Sequence, residues 1–213
     1  MIFYFSATGN SRYVAERVAA ATGDVTVSIV GWHGGGDLAP APALGEAVGI
    51  VSPTYAWGLP IIVREFLRDL TLNPAPGYLW FAATYGTTPG QTGRNADKIL
   101  RDTGLTPSAQ FSVRMPDTWT PLFDLSDSDK VRRINEAAEP QIDRIIAKVR
   151  ARTHGDFIDR KTPVLLSKAV YGLEYDFMRR TSNFVVEDSC VGCGLCARNC
   201  PIEAIEMRDR RPV

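Results

Sequence analysis

The chain has 213 residues, 45% of them hydrophobic, enough for one sizeable α/β core and a small appendage. Its formal net charge is +0 at pH 7, which gives no argument for nucleic acid or an anionic membrane surface as a partner. No apolar run reaches the roughly 18 residues that a membrane span requires, and Met1 leads straight into an apolar segment, leaving no room for a signal peptide.

Met1 to Phe5 reads as a short buried strand, followed by Ser6-Ala7-Thr8-Gly9-Asn10-Ser11 and then by a helix with Val14 and Val18 on its apolar side. Thr22-Gly23 closes that helix, and Val25 to Val30 alternates as a second strand. Gly31 to Pro42 is a Gly/Pro loop, in which His33 reads as a solvated loop residue. Ala47 to Ser52 is a continuous apolar strand, followed by Pro53-Thr54-Tyr55-Ala56-Trp57-Gly58. Pro60 then opens a helix that buries Val63, Phe66, Leu67 and Leu70. Tyr78 to Thr84 is a further strand; Tyr85-Gly86-Thr87-Thr88-Pro89-Gly90 is its loop, and the next helix ends near Thr103 at Gly104. Ala109 to Val113 is a shorter strand. A long helix begins at Ser126 with Asp129 as an approximate capping box, and Pro140 is expected to kink or split it.

Strands alternating with helices imply right-handed crossovers and a parallel sheet covered on both faces. Five strands fit a doubly wound α/β sheet of flavodoxin-like order 2-1-3-4-5, with a ligand site beyond the carboxyl ends of strands 1 and 3. The three loops after the first, third and fourth strands would meet there.

The first loop joins a strand end to a helix N-terminus, where unpartnered amides and the helix dipole favour an anion. It has neither the Lys of a triphosphate loop nor the Gly spacing of a dinucleotide loop, so a single phosphomonoester suits it. Ser6 to Ser11 resembles the phosphate loop of the flavodoxin family, which binds FMN; a simple capped turn is the alternative. The residues expected at the cofactor are Ser6, Thr8, Gly9, Asn10 and Ser11, then Pro53, Thr54, Tyr55, Trp57 and Gly58, then Thr84, Tyr85 and Gly86. Tyr55, Trp57 or Tyr85 can stack on an isoalloxazine, although Trp57 also suits ordinary packing under the adjacent helix. The resemblance implies that backbone groups near Gly58 and Gly86 contact the polar edge of the ring.

His154 to Lys161 reads as a linker. Leu166, Val170, Leu173 and Phe177 then fall at helical spacing, as expected of a helix that docks the tail on the first domain. Asn183 to Glu187 reads as a strand. Cys190, Cys193, Cys196 and Cys200 follow with the spacing C-x2-C-x2-C-x3-C-P, that of a bacterial [4Fe–4S] run, and all four cysteines of the chain lie in it. Structural zinc, the alternative, usually draws its thiolates from separated pairs. A cluster fits a reducing, cytoplasmic setting. In two-cluster ferredoxins the fourth Cys serves the other cluster, and no second run follows here. Three readings stay open: Cys200 closes a single cluster, the cluster is incomplete, or the natural chain continues. The abrupt end at Val213 favours the last.

Through Ser6 to Ser11, Met115-Pro116 and Cys190 to Pro201, the chain resembles the EFR1 family, which joins a flavodoxin-like domain to a bacterial-type ferredoxin. The implied layout is residues 1–153 for the FMN domain, 154–182 for a linker and docking helix, and 183–213 for a ferredoxin-like segment lacking its second half. The implied role is an electron-transfer flavoprotein relaying electrons between FMN and a [4Fe–4S] cluster to redox partner proteins. An FMN-dependent NAD(P)H or quinone reductase on the same fold is the alternative.

Overall fold

The computed structural model describes residues 1–31, 42–159, 161–178, 180, 182 and 184–213. In chain order the elements are β1 (Ile2–Tyr4), α1 (Asn10–Thr22), β2 (Thr26–Ser28), β3 (Ala47–Pro53), α2 (Ile61–Asp69), β4 (Tyr78–Tyr85) and α3 (Thr92–Asp102). Then follow β5 (Ala109–Arg114), α4 (Ser128–Arg150), β6 (Gly155–Phe157), α5 (Val164–Met178), α6 (Leu195–Asn199), β7 (Met207–Arg208) and β8 (Arg211–Pro212). Trp32, His33 and Asn183 lie outside the described residues, as do the side chains of Leu173, Glu174 and Asp176.

The main sheet is parallel throughout, with order β2-β1-β3-β4-β5-β6. Its side chains alternate between two cores, as a strand period of two demands. Along β4, Leu79, Phe81 and Ala83 face Val63, Phe66 and Leu67 of α2 and Leu100 of α3. Tyr78, Trp80 and Ala82 face Val14 and Val18 of α1 and Ile142 and Ile145 of α4. Trp80 fits because the neighbouring strand carries Gly49, where a Cβ would lie 2.2 Å from the indole.

The five-stranded expectation is corrected to six. Residues 155–157, read as linker, pair in parallel with β5, and Phe157 stacks on Phe111 with centroids 5.5 Å apart. Pro140 does not split α4. It lies on the exposed side of the helix, where water can take the Glu136 carbonyl that the missing N–H leaves unpaired. The cap of that helix is Asp127, whose side chain accepts from the Lys130 N–H at 2.9 Å, rather than a box starting at Ser126. Residues 184–187, expected as strand, carry none; the tail forms instead the short antiparallel pair β7–β8.

Helix α5 bonds to the segment around α2 through Tyr171 and Tyr175, not through the face that its apolar spacing suggests. Leu166 and Phe177 are exposed, while Ser167 and Tyr175 are buried. The expected apolar stripe therefore gives way to polar side chains that find partners on the body. No helix among the described residues is long and apolar enough to cross a membrane.

Candidate functional site

The carboxyl ends of β1, β3, β4 and β5 open on one cavity of about 1060 Å³. Every residue expected at the cofactor lines it except Gly9 and Gly58.

The first loop is built by its own side chains. Gly9 stands at the N-cap of α1 with φ 103°, a conformation that only glycine takes readily, and its N–H donates to Ser6 Oγ at 3.1 Å. Asn10, Ser11 and Arg12 open the helix, so their amides have no preceding helical carbonyl to bond. Thr8 Oγ1 meets Thr118 Oγ1 at 2.9 Å, and Asn10 Nδ2 donates to the Pro116 carbonyl at 2.9 Å. Ser11 is fully buried, and its hydroxyl pairs with Thr84 Oγ1 at 2.8 Å beneath the cavity. Ser11 and Thr84 thus couple the first and third loops; their hydroxyls already have each other as partners.

The second loop turns back on itself. Tyr55 and Gly58 exchange both backbone hydrogen bonds, at 3.0 and 2.9 Å, and between them Ala56 and Trp57 adopt φ 46° and 63°. Left-handed backbone at non-glycine residues costs of order 1–2 kcal/mol each and needs support from its surroundings. That support includes the bridge itself, the Gln91 N–H donating to the Trp57 carbonyl at 2.9 Å, and Thr92 Oγ1 donating to the Gly58 carbonyl at 3.2 Å. Trp57 is half-buried on the cavity wall. Tyr55 packs edge-on against Phe5 and joins the core beneath, where burial first, and then the nearby Tyr175, push its phenol up to about 12. Tyr85 lines the third loop and is largely buried. At Gly86 a Cβ would fall 2.2 Å from Asp117 Oδ2, so the bare backbone lets the loop after β5 close in.

That fourth loop escaped the sequence reading beyond Met115-Pro116. Pro116, Asp117, Thr118, Trp119, Leu122 and Phe123 all line the cavity. The signal was present, since an aromatic and small polar residues follow a strand end as in the other loops. Burial holds the Asp117 carboxyl above its ordinary value, partly offset by the Trp119 N–H that it accepts at 3.3 Å. With Glu65 and Glu203 it supplies the charged groups of the lining, which contains no Lys or Arg among the described residues.

Two later segments also reach the cavity: Tyr175 from α5, and Pro201, Ile202 and Glu203 from the tail. All four cysteines are free thiols, Cys190 and Cys200 half-buried, Cys193 and Cys196 exposed. Gly192 and Gly194 take φ 68° and 71° and bend the run, and α6 carries Cys196. The Ala204 N–H points at Cys200 Sγ at 3.3 Å, the kind of donor that steadies a thiolate. Among the described residues no group of three or more His, Cys, Asp or Glu side chains stands ready to hold a metal ion. The soft thiol set itself fits iron–sulfur chemistry.

A doubly wound parallel sheet with a helix N-terminus entered from a loop without Lys or Arg, and with aromatic loops at its switch point, defines a flavodoxin-like α/β protein. Residues 1–144 match the family model of the flavodoxin domain, and the chain belongs to that family. Residues 184–206 match the 4Fe-4S binding domain. FMN and a [4Fe–4S] cluster are the cofactors that these two domains imply. A ferredoxin of Clostridium butyricum is 58% identical over 26 residues, 12% of this chain and 47% of the ferredoxin, so the chain spans about half the length of the curated relative it matches. Among solved structures, a two-electron reduced Megasphaera elsdenii flavodoxin is 22% identical over 52% of this chain and 82% of its own, with a TM-score of 0.42. A Fusobacterium nucleatum flavodoxin bound to flavin mononucleotide is 11% identical over 71% and 96%, with a TM-score of 0.41.

Proposed function

We propose that this protein is an electron-transfer flavoprotein that relays electrons between FMN in the four-loop cavity and a [4Fe–4S] cluster in the cysteine run, for a protein redox partner. The observation that carries the reading is that one cavity is lined both by the flavodoxin loops and by Pro201 to Glu203, the residues directly after Cys200. FMN supplies exchange of one or two electrons and the cluster exchange of one, so that together they can split an electron pair.

The chain's own residues bind and tune. The opening amides of α1, with Ser6 and Thr8, hold a phosphomonoester through neutral donors. Trp57, Tyr85 and Trp119 supply flat surfaces for the ring system. Asp117 and Glu65 set a negative field over the cavity that disfavours added negative charge and lowers the reduction potential. Cys190, Cys193, Cys196 and Cys200 are the cluster ligands in this reading, with the Ala204 N–H on Cys200 Sγ.

Anaerobic purification with flavin, iron and sulfide analysis tests this. About one FMN with about four irons is expected if Cys200 completes the cluster. A colourless protein that takes up no FMN would overturn the reading. Rapid steady-state NAD(P)H oxidation with a quinone would replace the carrier by a reductase.

A further inference from the structure

Helix α5 lies outside both family-matched segments, yet it is bonded to the segment that directly follows the strained loop of the cavity. The first-turn amide of α2 at Ile61 follows Pro60, which offers no side-chain cap. Tyr175 supplies the missing acceptor: its hydroxyl takes the Ile61 N–H at 3.0 Å. One turn earlier, Tyr171 Oη donates to the Leu59 carbonyl at 2.7 Å and accepts from Arg64 Nη1 at 3.2 Å. The two tyrosine rings stack at 4.8 Å with 9° between their planes, so each fixes the other. The Tyr171 ring also covers Gly58, where a Cβ would lie 2.5 Å from it. Two side chains of one helix therefore hold the segment from Gly58 to Ile61 at three points, Gly58, Leu59 and Ile61. The Tyr55–Gly58 bridge, with its left-handed Trp57, enters directly into that segment.

We propose that Tyr171 and Tyr175 are positioning residues of the flavin cavity: they hold the loop that presents Trp57 and thereby set the affinity and the potential of the bound flavin. This rests on the FMN reading above. A device of this kind ties the cofactor loop to the element from which the cysteine tail departs, and it gives α5 a role beyond that of a tether. Tyr175 is in addition part of the cavity wall, so its removal acts on the ligand's surroundings as well as on the loop.

The test is FMN titration of the deflavinated full chain, followed by the potential of the bound flavin, for wild type, Tyr171→Phe, Tyr175→Phe and the double variant. Each single change keeps the ring stack and removes hydroxyl bonds to the loop. The expected result is a rise in the FMN Kd of about three- to tenfold each, a non-additive double variant, and a shifted flavin potential. Arg64→Leu, which lies outside the cavity lining and removes the donor to Tyr171 together with the guanidinium 5.7 Å over its ring, should move both readouts less and in the same direction. It keeps the test available if a tyrosine variant fails to fold. A lower melting temperature with Kd and potential unchanged would assign the tyrosines to docking alone and overturn the inference. A wild-type chain that does not bind FMN would remove the functional reading and this inference together; a wild type that binds with variants indistinguishable from it removes this inference alone.

Discussion

The α/β body and the cysteine tail solve the same problem in opposite ways. The body buries two apolar layers, one on each face of its sheet, with Phe66, Phe81, Trp80 and Phe111 almost wholly enclosed. The tail leaves Phe184, Val185, Val191, Leu195 and Ile202 open to solvent. Its bonds are largely internal: Arg211 to the Val186 and Glu187 carbonyls, and Arg198 to the Cys193 carbonyl. A segment this short cannot bury enough apolar area to offset its chain entropy, and such segments commonly draw their order from a metal or a cluster. The body should therefore keep its shape with or without a ligand, whereas the tail's order should follow its thiolates.

The sharpest way to break this contrast is Cys196→Ser. Loss of essentially all iron is expected, with FMN content unchanged, as read by metal analysis beside flavin absorbance. Loss of flavin as well would show that the two regions do not fold independently. Phe81→Ala should do the reverse, destabilising the body by about 3–5 kcal/mol in denaturant unfolding while the tail's cysteines keep their iron uptake. Trp57→Ala should weaken FMN binding by about 1–2 kcal/mol, seen by fluorescence titration, with a melting temperature near wild type because the side chain is only half-buried. The smallest effect is expected at Asp117. Burial raises its folded value above the unfolded one, so the folded chain binds that proton more tightly. Stability then falls as pH rises from the ordinary carboxylate range through the raised value. Asp117→Asn should flatten that slope, raise the melting temperature slightly at neutral pH, and lift the potential of bound flavin by removing a negative charge.

Much of the body was legible because its signals are local. A strand-loop-helix sequence with Gly9 at the turn marks the first cavity loop on its own, and the apolar runs at 47–52 and 78–84 mark central strands. What escaped depends on distant partners. Gly155-Asp156-Phe157 carries one apolar side chain and becomes a strand only because β5 offers an open edge with Phe111 to stack against. The orientation of α5 was misread because its leucines and Phe177 suggest an apolar stripe, while backbone groups at Leu59 and Ile61 select the tyrosines instead. Asp117 and Trp119 follow a short, weakly apolar strand, so the aromatic and small polar residues of their loop, visible in the sequence, gain weight only once β5 stands beside the other strand ends.

The hydroxyl pair beneath the cavity has a consequence for how this sequence can change over time. With Ser11 and Thr84 both enclosed, replacing one by an apolar residue strands the other without its partner. Replacing both at once leaves nothing stranded. Positions 11 and 84, far apart in the chain, should therefore be inherited as a unit, and related chains should show hydroxyls at both or at neither.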